Sequence, residues 1–144
     1  MMAIARWLLI MLCLIGSWRA SGAAEPTVVL VASAQSPISG LSLSDARKIY
    51  LGVPVRIKDK TIQPLRNASD NLLVEVFMQR VMYMASETYE RQILNRVFRL
   101  GGERPPNFSE STPLLAALQT NPWAISYMWR DVALSTPGIK IVAE

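Results

Sequence analysis

Thr27-Val28-Val29-Leu30-Val31-Ala32 (TVVLVA) decides the fold. The run is apolar and rich in β-branched residues, and it lacks the polar alternation of a strand with one wet face. A strand of this kind is buried on both sides, as in the sheet of an α/β protein. The stretch after it, Ser33 to Gly40 (SAQSPISG), reads as a polar loop with Pro37. A helix is predicted from Ser42. Ser42-Leu43-Ser44-Asp45 has capping-box spacing with Asp in place of Glu. Leu43, Ala46, Ile49 and Tyr50 form its apolar stripe, and Gly52 ends it.

Further along, Lys58-Asp59-Lys60 reads as an exposed turn, and Thr61 to Leu65 as a short strand interrupted by Pro64. Two helices are predicted next. One runs from about Asp70 to Met84, with Leu73, Val76, Phe77, Arg80, Val81 and Met84 at helical spacing. The other is capped by Ser86 and runs to about Phe98, with Tyr89, Ile93, Leu94, Val97 and Phe98 inward. Gly101-Gly102 and Pro105-Pro106 mark a stiff turn. Thr112-Pro113 starts a short helix with Thr as N-cap, and Asn121-Pro122 stops it. Ala124 to Met128 and Ile139 to Ala143 are the last strands. Trp123, Tyr127 and Trp129 share one face if that segment is extended, either as core packing or as a docking surface. This order of elements is α/β.

Upstream of the strand, Met1 to Ala24 reads as a cleavable export signal. Arg6 supplies the charge, Trp7 to Gly16 (WLLIMLCLIG) the apolar run, and Gly22-Ala23-Ala24 the small residues before the cut. The run falls short of the roughly 20 residues that span a bilayer; the alternative reading is an uncleaved anchor with Trp18 and Arg19 at the membrane interface. Ile10-Met11-Leu12 before Cys13 is not a lipoprotein signal. The expected mature domain is therefore residues 25–144, a single domain working outside the cytoplasm. Cys13 is the chain's single cysteine and leaves with the signal, so no disulfide framework is expected. There is no histidine, which removes Ser-His-Asp and Cys-His catalysis and His-based zinc sites. Neither a cofactor nor a metal is expected, nor an enzyme: no carboxylate pair or Ser–Lys pair stands out. Arg6 and Arg19 precede residue 25, so the mature domain nets +2, with 13 basic residues against 11 acidic. That field is too weak for nucleic acid and suits a local site for a small anion.

Several blocks, taken in order, resemble the periplasmic phosphate-binding proteins of ABC transporters. They are Leu43 to Gly52 (LSDARKIYLG), Ile62 to Arg66 (IQPLR), Phe77 to Met82 (FMQRVM), Phe98 to Pro106 (FRLGGERPP) and Asn121 to Tyr127 (NPWAISY). The similarity spans about Val28 to Val142. It implies an α/β fold, a single lobe of a type 2 periplasmic-binding-protein-like architecture, in a protein exported to a bacterial periplasm. In that family two lobes close on the anion, and one binding loop reads R-x-D-G-S-G-T. Here that stretch is Arg66-Asn67-Ala68-Ser69-Asp70-Asn71-Leu72, with the arginine and a serine but neither glycine. Ser126 stands where the family has glycine.

The resemblance makes Arg66, Ser69 and Asn71 candidate oxyanion ligands. Arg66 would clamp and the other two would donate hydrogen bonds at a helix N-terminus. The plainer alternative is that Ser69 or Asp70 caps the helix at Leu72 and Arg66 pairs with a carboxylate such as Asp70. Ser33 and Ser36 are a second candidate pair, because ligands favour the carboxyl ends of strands in open α/β sheets. Asn67-Ala68-Ser69 fits an N-glycosylation pattern, which is disregarded in a bacterial setting. Two functions follow. One is an exported solute-binding-like domain with weak affinity for phosphate or another oxyanion. The other is a ligand-free adaptor or sensory module that docks on a membrane transporter or sensor; self-association as a homodimer would rebuild a two-lobed cleft.

Overall fold

The computed structural model describes Gly22 and residues 24–144. The proposed export signal therefore lies almost wholly outside the described residues. None of the described helices is long and apolar enough to cross a membrane.

β1, Val28–Ser33, is buried at all six positions. Its two neighbours are β7, Ala124–Trp129, and β8, Ile139–Ala143, and both run antiparallel to it. The apolar continuity of β1 thus reports burial and not parallel pairing. Helices cover both faces, so neither face needs polar residues. Val28, Leu30 and Ala32 point into one cluster with Ile125 and Tyr127 of β7. Val29 and Val31 point into a second, with Ala124 and Met128. Both clusters are built wholly from residues 28–142, so the chain from residue 25 contains its own cores.

On the first face sit three helices. α1, Leu43–Tyr50, begins as its sequence requires. Ser42 Oγ accepts from Asp45 N at 3.0 Å and donates to Asp45 Oδ2 at 2.9 Å. α2, Asn71–Phe77, continues as a π-helical turn over Met78–Met82. That wider turn rotates the inward stripe, so Met78, Val81 and Met82 are buried while Arg80 turns out to pair with Glu25 at 3.1 Å. α3, Ser86–Leu100, follows. Its N-cap position is Ala85, with no side-chain bond, so Ser86 is the first helical residue and not the cap. Tyr89 and Ile93 are buried and Val97 packs against the core. Leu94 and Phe98, expected inward, are exposed: each lies one position, about 100° of rotation, beyond that narrow stripe.

The second face carries α4, Ser111–Thr120, and α5, Arg130–Ser135. α4 starts two residues before the expected point, with Glu110 at the N-cap and Thr112-Pro113 inside the first turn. A proline there costs nothing, since first-turn N–H groups have no intrahelical partner. α5 has no counterpart in the sequence reading.

Between α1 and α2 the chain forms a hairpin, β2 (Arg56–Ile57) and β3 (Lys60–Thr61), turned by Lys58 and Asp59, both at positive φ. It then runs through β4 (Gln63–Pro64) and β5 (Arg66–Asn67) as one extended segment that changes partner at Leu65. Gln63 N and Leu65 N donate to Trp123 and Ile125 carbonyls at 2.9 and 2.8 Å, which places β4 parallel to β7. Pro64 fits because its missing N–H falls on the side away from β7. Arg66 N and Ala68 N donate instead to Pro106 and Phe108, so β5 pairs with β6, Asn107–Phe108.

The change of partner leaves the Leu65 carbonyl to side chains. Tyr50 Oη and Ser126 Oγ both donate to it at 3.0 Å. Ser126 therefore does structural work at a position where the resembling family has glycine. We predict that Tyr50→Phe and Ser126→Ala each cost about 1 kcal/mol in urea denaturation. The double variant should cost more than the sum, because only it leaves the buried carbonyl bare. Strict additivity would show that the shared acceptor is irrelevant.

Candidate functional site

Arg66 leaves the end of the partner-switching segment and is mostly buried, with its side chain 14% exposed. Nη1 lies 2.8 Å from Glu90 Oε1, and the guanidinium sits over the Tyr89 ring at 5.1 Å. Glu90's other oxygen takes the exposed Arg104. One carboxylate on α3 thus holds two arginines. The partner of Arg66 is Glu90, not Asp70.

Behind this pair lies an aromatic wall. Phe77 and Tyr127 stack at 3.7 Å, and Tyr50 meets both edge-on at 4.9 and 5.8 Å. Tyr89 Oη donates to the Tyr50 carbonyl at 2.8 Å. Burial lifts all three tyrosine hydroxyls out of their usual range. Tyr127 is pushed up to about 12 despite the nearby Arg66 charge, so these groups stay neutral. Two buried atoms here have no protein partner, Arg66 Nε and Tyr127 Oη.

The N-terminus of α2 is filled by the chain itself. Asp70 Oδ1 accepts from Leu72 N at 2.8 Å and Leu73 N at 3.3 Å, while Oδ2 accepts from Trp129 Nε1 at 2.8 Å. A carboxylate therefore occupies the place where a helix start would favour an anion. Ser69 is turned to Asn67: its N and Oγ donate to Asn67 Oδ1 at 3.1 and 2.6 Å. Asn67 is buried and its Nδ2 donates to Tyr127 O at 3.0 Å, which leaves no room for a glycan. Asn71 is exposed on the first turn of α2. Grooves flank the Asp70–Trp129 pair. One, of about 590 Å³, includes Leu72 and Leu134; the other, of about 240 Å³, includes Leu115 and Val132. A third, of about 370 Å³, lies by the Gly101–Pro106 loop.

Ser33 and Ser36 do not join this group. Ser33 pairs with Ile139 at one end of β1, while Val28 pairs with Trp129, beside Asp70, at the other. Five strand residues separate the ends by roughly 16 Å, so one small anion cannot touch both sets. Both hydroxyls are buried and accept from their own loop, from Gln35 N at 3.3 Å and Ile38 N at 3.1 Å. Lys140 Nζ closes the loop on the Ser36 carbonyl at 2.6 Å. Trp123, Tyr127 and Trp129 do share a face and pack on the first core cluster. Among the described residues no group of three acidic, His or Cys side chains is placed to hold a metal.

The sequence reading missed Glu90 and the Trp129–Asp70 bond. The one signal for Glu90 was its place beside Tyr89 on the inner half of α3. The Trp129 hydrogen bond first, and the two backbone N–H groups after it, hold the Asp70 carboxyl below its ordinary value. A depressed folded pKa gives stability that is present above the unfolded value, near 4, and is lost as pH falls through the folded one. We predict that Asp70→Ala costs about 0.5–2 kcal/mol at neutral pH. It should also flatten the acid limb of the stability–pH curve below about pH 4, measured by urea titration.

No protein-family model matches the sequence, and no curated protein does at a significant level. Solved structures do match in fold. An ABC-type phosphate transport receptor from Vibrio cholerae superposes with TM-score 0.56 at 13% identity, over 81% of this chain and 45% of its own. A protein from Clostridium perfringens, described as a phosphate ABC transporter substrate-binding protein and solved with bound phosphate, gives 0.58 at 16%, over 81% and 44%. PstS from Borrelia burgdorferi gives 0.55 at 14%, over 82% and 47%. This chain thus spans less than half the length of the receptors it matches, and what it shares with them is a mixed α/β periplasmic-binding-protein fold of one-lobe size.

Proposed function

We propose that this chain is an exported, phosphate-receptor-like lobe that does not capture anion by itself and acts by docking on a membrane transporter or sensor. The filled seat carries the reading. Asp70 takes the α2 N–H groups, and Glu90 neutralises Arg66. A free phosphate would have to displace two carboxylates that are part of the chain.

The surface around that seat supports docking. Leu72, Val132 and Leu134 are 56, 45 and 65% exposed and rim the grooves beside Asp70 and Trp129. A clustered apolar rim marks an interaction surface more often than a bare monomer face. The structural neighbours are transport receptors, which supports a non-enzymatic role and a transporter-type partner.

A second reading, weak oxyanion binding at Arg66, is favoured by the unpartnered Arg66 Nε and Tyr127 Oη. A melting-temperature titration with phosphate, sulfate and chloride at constant ionic strength separates the two. We expect no phosphate-selective rise for the wild type, and a saturable one in Glu90→Gln, where the arginines are freed. Ligand at about 100 times its Kd stabilises by about 2.7 kcal/mol, on the order of 10 °C for a domain of this size. Such a rise in the wild type, abolished by Arg66→Ala, would reverse the ranking.

A further inference from the structure

The second half of α3 carries a feature that the phosphate-receptor reading does not use. Arg91 to Leu100 (RQILNRVFRL) contains three arginines and no carboxylate. It nets +3, whereas the rest of residues 25–144 nets −1, with 10 basic residues against 11 acidic. The positive charge of the domain is therefore concentrated on ten residues. None of the three arginines forms an ion pair among the described residues; Glu90, one position earlier, is committed to Arg66 and Arg104.

Apolar side chains interleave with these charges on the outside of the helix. Phe98 is 84% exposed, Leu100 70% and Leu94 39%. Arg91, Leu94 and Phe98, spaced three and four apart, share a face, and Arg99 flanks it. Arg96 lies on another side, its chain against Gly52. The opposite face, Tyr89 and Ile93, is committed to the core. Phe98 stands out from this face at 84% exposure, and neither Leu94 nor Phe98 lines any of the three grooves described above. A protruding phenylalanine with arginines beside it has no pocket to offer a peptide side chain. It does match an anionic bilayer, whose headgroups take the arginines and whose interface takes the ring.

We infer that the outer face of α3 is a membrane-surface contact, selective for anionic phospholipid, with Phe98 as its apolar anchor and Arg91 and Arg99 as its headgroup contacts. The residues of this contact are distinct from those of the Asp70–Trp129 rim.

The test is vesicle co-sedimentation of the chain from residue 25, which contains both core clusters and omits the apolar N-terminal run. Phosphatidylglycerol–phosphatidylcholine vesicles are compared with pure phosphatidylcholine vesicles. Pelleting is expected only with the former, and added salt should weaken it. Arg91→Gln or Arg99→Gln should each weaken partition about five-fold, and Phe98→Ser should abolish it with an unchanged circular dichroism spectrum. Equal pelleting with both lipids, or no effect of the three substitutions, overturns the inference. So does absent vesicle binding together with a dimer in solution that Phe98→Ser dissociates, which would assign the face to a second copy of the chain.

Discussion

The Leu65 carbonyl is the point on which the architecture turns. A strand that pairs with β7 up to Leu65 and with β6 from Arg66 onward must abandon one backbone acceptor inside the protein. A buried carbonyl without a partner costs as much as several good contacts provide. Tyr50 from α1 and Ser126 from β7 supply the missing donors. Tyr50 also receives the Tyr89 hydroxyl on its own carbonyl. One handover between two strands thereby fixes where α1 and α3 sit, and it aims Arg66 out of the sheet toward Glu90.

Features whose cause is local were legible in the sequence. β1 was visible because six buried residues need no polar alternation, and α1 because Ser42 and Asp45 cap it within a single turn. The Lys58–Asp59 turn and the Asn121 stop belong to the same class. Features decided by distant partners were not legible. The antiparallel pairing of β1 depends on segments at the far end of the chain. The π turn at Met78–Met82 was not legible either, because nothing in the local spacing of apolar residues marks a wider turn there. α5 is six residues long and follows directly from a strand, too short for periodicity to register. At the site, Arg66 and the capping role of Asp70 could be read along the chain. Glu90 could not, because nothing local couples it to a strand more than twenty residues earlier.

The charges at the site are answered from within. Asp70 meets two backbone donors and an indole, Arg66 meets Glu90, and the serines of the β1 loop meet their own backbone. Chemistry of this kind makes a rigid surface and a poor trap, because a trap needs donors left over. Among the described residues the buried side-chain leftovers are Arg66 Nε and Tyr127 Oη, where the guanidinium meets the aromatic wall. The domain's unanswered features lie elsewhere, in the apolar rim by Asp70 and the arginines of α3, and both face outward.

The position of β1 in the sheet also governs when this chain can fold. Val28 must wait for Trp129, Val31 for Ser126 and Ile141, so the first strand made is the last to be paired. Such long-range closure slows folding. A chain made N-terminus first cannot close its sheet until its final residues have arrived. Under the proposed export this delay would keep the sheet open during passage. Its cost is a bare Val-Val-Leu-Val segment, a hazard for aggregation until β7 and β8 cover it on both edges.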